Sequence, residues 1–127
     1  MKILKILFGL VMLMFLFGAC KYDFIVPEEI PVVDPDGSEI SFSTDILPIF
    51  NNGNNCTACH KTGGQAPDLT SGRAYNALNS ARYINTTTPE DSRIYSVPDP
   101  GSSHYKKYTA AQAALVLGWI SQGAKNN

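Results

Sequence analysis

The sequence predicts an all-α fold, a small domain of about three helices joined by long loops. Three observations carry that expectation. Thr109-Ala110-Ala111-Gln112 has the form of a capping box, and Ala113 to Ile120 behind it is apolar on nearly every side except at Gly118. A second helical signal lies near Thr44 to Phe50, with Thr44 as N-cap and Asp45 suited to the positive helix end. No stretch sustains the apolar–polar alternation of a strand.

Taken in order, residues 1–19 read as an export signal. Lys2 and Lys5 give a positive start, and Ile6 to Ala19 forms an almost wholly apolar run of 14 residues. A spanning helix needs about 20. Phe17-Gly18-Ala19-Cys20 resembles a bacterial lipobox, in which cleavage precedes a cysteine that is then lipidated, although Leu, Val or Ile usually stands where this chain has Phe17. The alternative is an ordinary secretory signal with a chance cysteine. Lipidation of Cys20 is favoured because an exported chain would otherwise carry an unpaired cysteine. It would anchor the mature protein without a spanning helix. Lys21 lacks the aspartate that marks inner-membrane retention in some bacteria, which tilts the expectation toward the outer membrane.

Residues 20–40 read as a lipidated cysteine followed by a tether. Pro27, Pro31 and Pro35 favour extended backbone, and Asp23, Glu28, Glu29, Asp34, Asp36 and Glu39 repel one another. Fully extended, such a segment reaches about 60 Å at roughly 3.1 Å per residue. Phe24-Ile25-Val26 or Pro31-Val32-Val33 docking on the domain is the competing reading.

Residues 41–127 then form one domain, small for a core made of side chains alone. Ile46, Ile49 and Phe50 give the first helix its apolar face, Pro48 is tolerated in its first turn, and Asn51-Asn52-Gly53-Asn54 stops it. A weaker second helix is expected near Gly72 to Ser80, with Ala74 and Leu78 at i, i+4. Gly123 ends the last helix. The domain carries seven Lys and Arg against five acids, and a balance of +2 gives no footprint for nucleic acid. Tyr83 to His104 reads as a long loop with Pro89, Pro98, Pro100 and Gly101, which a small domain keeps only to hold something.

Cys56-Thr57-Ala58-Cys59-His60 carries the chemistry. The chain has three cysteines and two histidines, and this stretch holds two of the first and one of the second. C-x-x-C-H is the attachment pattern of c-type haem. Each cysteine would form a thioether with one vinyl group, and His60 would be the proximal iron ligand. Zinc is disfavoured because a structural site wants four ligands and no second ligand pair exists. A thioredoxin-like site wants a βαβ context that is missing. No hydrolase constellation stands out.

The layout resembles the single-haem c-type cytochrome domain, and in particular the cytochrome c-like module of bacterial lipoproteins and planctomycete-type proteins. The matching residues are Asp45-Ile46-Leu47-Pro48-Ile49-Phe50, the C-x-x-C-H itself, Pro67-Asp68-Leu69, Asp91-Ser92-Arg93-Ile94-Tyr95 and Trp119-Ile120-Ser121-Gln122-Gly123-Ala124. The resemblance implies a cytochrome c-like fold wrapped around one covalent haem c, with electron transfer between redox proteins outside the cytoplasm as the function. It also implies that Pro67 offers its carbonyl to the second ring nitrogen of His60, ordinary turn duty being the alternative. Trp119 would lie in the helix crossing or near the haem edge, with plain core the favoured reading.

The chain departs from the common pattern on the far side of the iron. Its only methionines are Met1, Met12 and Met14, all within the export signal. His104 is the favoured distal ligand; water, Tyr105, Lys106, Lys107 or an open position are the alternatives. Two ligands suit an electron carrier, alone or as one subunit of a larger respiratory or oxidoreductase assembly, whereas an open iron suits a haem sensor or weak peroxidase.

Overall fold

The computed structural model describes residues 37–127 together with Met1, Ile3 and Lys5. Cys20, most of the expected export signal and the expected tether up to Asp36 lie outside the described residues. Among the described residues the fold is all-α, without a strand. A π-helical turn, Phe42–Ile46, runs directly into helix α1, Leu47–Asn51, and a 3-10 turn, Asn52–Asn54, follows. Helix α2 spans Ala74–Leu78. A 3-10 turn at Pro89–Asp91 leads to α3, Arg93–Ser96, and α4 is Ala110–Ser121. No helix among the described residues is long and apolar enough to cross a membrane.

The first helical segment begins earlier than the sequence suggested. Ser41, not Thr44, is its N-cap: the Ser41 hydroxyl accepts from the Thr44 backbone N–H at 3.3 Å, and the Asp45 carboxylate accepts from the Ser41 N–H at 2.8 Å. The two bonds satisfy orphan helix donors reciprocally, so Asp45 does serve the positive end, but as half of a box. The earlier start adds Phe42 to Ile46, Ile49 and Phe50 on the buried face. Gly53 takes a positive φ of 63° and turns the chain away from the helix.

Helix α4 starts as its sequence predicts. Thr109 Oγ1 accepts from the Gln112 N–H at 3.2 Å, and Gln112 Oε1 accepts from the Thr109 N–H at 3.0 Å. Val116, Gly118, Trp119 and Ile120 are buried along it, and Gly123 leaves it at φ 96°. Trp119 is completely buried, and its Nε1–H donates to the Lys125 carbonyl at 2.9 Å. Its ring lies 5.3 Å from that of Phe42, which in turn meets Tyr75 of α2 edge-on at 5.2 Å. One aromatic cluster therefore joins the first segment, α2 and α4.

The C-terminal tail closes this crossing. Asn127 Oδ1 accepts from the Phe42 N–H at 2.8 Å, and its backbone oxygen accepts from Ser43 N–H at 2.9 Å. The domain also reaches back beyond Ser41, into residues assigned from sequence to the tether. Ile40 joins the core, its N–H donates to Gln122 Oε1 at 2.8 Å, and Gln122 Nε2 donates to the Ser38 carbonyl at 3.2 Å. A Glu39–Lys125 ion pair at 2.7 Å lies at the same place, but both partners are more than half exposed, so it adds little.

The segment expected to be loop from Tyr83 to His104 contains α3 and the 3-10 turn before it. Ser92 is buried, accepting from the Asn85 N–H at 2.9 Å. Asn85 Oδ1 accepts from the N–H groups of Thr87 and Thr88. These bonds replace the backbone ladder that a longer helix would supply. Truncating Trp119 removes the largest fully buried side chain of the aromatic cluster. Trp119→Ala is expected to destabilise the domain by about 3–5 kcal/mol, measured by denaturant unfolding against the unaltered chain.

Candidate functional site

The C-x-x-C-H motif folds as a single helical turn. The Cys56 N–H donates to the Phe50 carbonyl at 3.0 Å, which docks the turn on the end of α1, and the His60 N–H donates to the Cys56 carbonyl at 2.9 Å. The i, i+4 spacing puts Cys56 and His60 on one side of the turn. Cys56 is half-buried and Cys59 exposed, and no disulfide joins them. Burial pushes the Cys56 thiol above its ordinary pKa, against a smaller opposing pull from the Lys106 ammonium.

The chain after the motif folds back on it. Gln65 N–H donates to the Cys59 carbonyl at 2.9 Å, and Leu69 N–H to the His60 carbonyl at 3.0 Å. Asn51 Nδ2 donates to the Leu69 carbonyl at 3.2 Å, tying this loop to α1. Asp68 stiffens it. Its carboxylate accepts from the Thr62 hydroxyl at 2.6 Å and from the Thr70 N–H at 3.0 Å, and these bonds hold its pKa below the usual carboxylate range. Between these fixed points Pro67 is buried, and its carbonyl accepts from His60 Nδ1 at 3.2 Å.

His104 arrives on a different loop. The Tyr108 N–H donates to the Pro98 carbonyl at 2.8 Å and closes the base of that loop. Ser102 Oγ accepts from the His104 N–H at 3.2 Å, and His104 Nδ1 donates to the Lys106 carbonyl. The His60 and His104 rings face one another with centroids 6.1 Å apart and planes inclined by 32°.

Carbonyl oxygens only accept, so in both neutral imidazoles Nδ1 carries the hydrogen and Nε2 keeps a lone pair. Two metal–imidazole bonds of about 2.0 Å in line, with about 1.1 Å from each nitrogen to its ring center, set the centroids roughly 6.2 Å apart. The observed separation fits one metal atom between the rings. Among the described residues no group of three or more His, Cys, Asp or Glu side chains is placed to hold a metal ion, so any other ligands would come from outside the protein.

An apolar cleft with room for about 90 Å³ opens beside the two histidines, walled by Leu69, Tyr83, Ile94, Val97 and Tyr108. A second hollow of about 260 Å³ borders the same histidines on the side of Cys56 and Cys59. Tyr108 is buried, its hydroxyl donates to the Ile94 carbonyl at 2.8 Å, and burial holds its pKa well above the ordinary phenol value. Compared with known proteins, the chain matches no family model, no curated protein and no solved structure.

The structure thus brings together Cys56, Cys59, His60, Pro67 and His104, the residues singled out from the sequence. Cys20 lies outside the described residues. Trp119 borders neither hollow and belongs to the helix crossing. The sequence reasoning missed Tyr83, Ile94, Val97 and Tyr108 as cleft walls, although the unexplained length of the loop from Tyr83 to His104 was a signal. Gly64 is a further supporting residue. A Cβ there would collide with the Cys59 carbonyl oxygen and sit 3.2 Å from that of Lys61. Gly64→Ala is expected to lower stability by about 1–3 kcal/mol, read by thermal unfolding. Limited proteolysis of the same variant should show earlier cleavage in the loop after His60, since that loop carries the displaced backbone.

Proposed function

We propose that this chain is a single-haem c-type cytochrome, exported and held to a bacterial membrane by a lipid on Cys20, that carries electrons between redox proteins. The observation that supports it most is the pair of facing imidazoles, each with Nδ1 bonded to a backbone carbonyl and Nε2 directed to no protein partner. In this reading Cys56 and Cys59 hold the haem covalently, His60 is the proximal ligand and His104 the distal one. Bound there, the haem would supply a one-electron ferric–ferrous couple.

The protein's part is orientation and exclusion of water. The Pro67 carbonyl fixes the His60 tautomer and raises its basicity, and the Lys106 carbonyl does the same for His104. Leu69, Ile94 and Tyr108 keep the cleft dry. Two histidine ligands should leave the potential below that of methionine-ligated partners, since methionine raises it. A filled coordination sphere needs no ligand exchange on electron transfer, which favours a carrier over a peroxidase. Residues 21–36 would serve as tether, and the partners would be a redox donor and acceptor, free or within a larger assembly.

The test is the ferric protein made with haem-attachment machinery. Visible absorption and paramagnetic resonance should give a low-spin iron with two nitrogen ligands. His104→Ala should turn it high-spin and gain carbon monoxide binding in the ferrous form, while His60→Ala should lose haem ligation more broadly. A high-spin signal in the unaltered protein would instead favour the sensor or peroxidase reading with an open distal side. Lack of covalent haem would remove both.

A further inference from the structure

The cleft carries one ionised side chain without a role so far. Its walls are aliphatic carbon, proline rings, Cys56, two tyrosines and the two imidazoles, and Arg93 is the single charged residue among them. Arg93 opens α3, directly after the 3-10 turn that carries Glu90 and Asp91. Neither of those carboxylates comes within ion-pair distance of it: among the described residues the one salt bridge joins Lys125 to Glu39. Arg93 is itself exposed, and it is the cation that borders the cleft without a carboxylate partner among the described residues.

Its position relative to the cysteines narrows what it would meet. Lys106 is the cation on the cysteine side, bordering the hollow shared with Cys56, Ala58 and Cys59. Arg93 lines the cleft that Cys56 borders and Cys59 does not. A haem held through its vinyl edge presents its two propionate carboxylates at the opposite edge of the ring. We propose that Arg93 binds a propionate carboxylate of the haem, an assignment that rests on the cytochrome reading given above. The guanidinium fork matches a carboxylate with two parallel donors, which Lys cannot reproduce. Without it, a propionate entering the cleft would lose water and gain no partner. A cation fixed beside the ring also disfavours the ferric state and so raises the potential.

The experiment uses the full holoprotein and follows its midpoint potential against pH for the unaltered chain, Arg93→Gln, Arg93→Lys and the control Lys106→Gln. Arg93→Gln should shift the oxidised-to-reduced ratio about tenfold toward the ferric form, about 59 mV for a one-electron couple. It should also make the potential fall with rising pH near neutrality, because a propionate freed of its cation takes up a proton on reduction. Arg93→Lys should keep the charge and most of the potential, and Lys106→Gln should add no new pH dependence. An Arg93→Gln holoprotein with unchanged potential and unchanged pH profile would overturn the assignment. If that variant does not retain haem, redox difference infrared spectra of the unaltered holoprotein decide: ionised propionates throughout the neutral range support it, and a protonated carboxyl band there overturns it. Failure of the unaltered chain to take up covalent haem is a separate result, which removes the cytochrome reading and this assignment with it.

Discussion

The crossing of the first helical segment with α4 is the constraint on which the rest of this domain depends. Phe42 and Trp119 meet at its center, Tyr75 of α2 packs against Phe42, and Asn127 binds back to the start of the first segment. The Tyr75 hydroxyl adds a bond to the Ala124 carbonyl at 3.1 Å. Both ends of the described domain are thereby fixed at one place. The two loops that carry the histidines grow from the helices so fixed. His60 follows α1 through the docked turn at Cys56, and His104 lies just ahead of the capping box that opens α4. The facing of the two rings is a consequence of the crossing, reached through short and well-bonded connections.

That facing is chemically specific. Two neutral imidazoles that both spend their Nδ1–H on backbone carbonyls each keep an acceptor at Nε2. Neither can donate to the other, so the gap between them suits an electron-pair acceptor, a metal cation above all. Most of the cleft beside them is apolar, and the hydroxyl of its Tyr108 is already engaged with the Ile94 carbonyl. The loop hydrogen bonds around Asp68 and Asn85 matter here because they set the two walls of that space without regular helix.

What could be read from the sequence divides by the range of the interactions involved. The capping box at Thr109 and the C-x-x-C-H turn are local, and both have the form their residues suggest. The start of the first segment was misplaced because Thr44 obeys the N-cap rule as well as Ser41 does; the choice is made by Asp45 and by Asn127, 86 residues from Ser41 in the case of its hydroxyl bond. Ile40 was left in the tether for the same reason, since its partner is Gln122. Helix α3 is only four residues long and carries too little periodicity to be seen. It exists because Ser92 is bonded to Asn85 and because the Ile94 carbonyl receives the Tyr108 hydroxyl. His104 was found by elimination among two histidines, and nothing in its neighbourhood foretold the distance to His60.

Several residues belong to the core and to the cleft wall at once. Leu69, Ile94 and Tyr108 are buried members of the hydrophobic cluster, and all three also border the space beside the histidines. The cleft is therefore not a groove added to a finished domain but one face of its only core among the described residues. A domain of this size buries a modest share of its surface, so an apolar body seated against those three side chains would extend the core as well as occupy the site. Whatever binds there binds the folded chain in preference to the unfolded one, and its binding energy becomes folding energy. Covalent attachment through Cys56 and Cys59, as proposed, would make that coupling permanent and let so small a core leave one of its faces to be completed from outside.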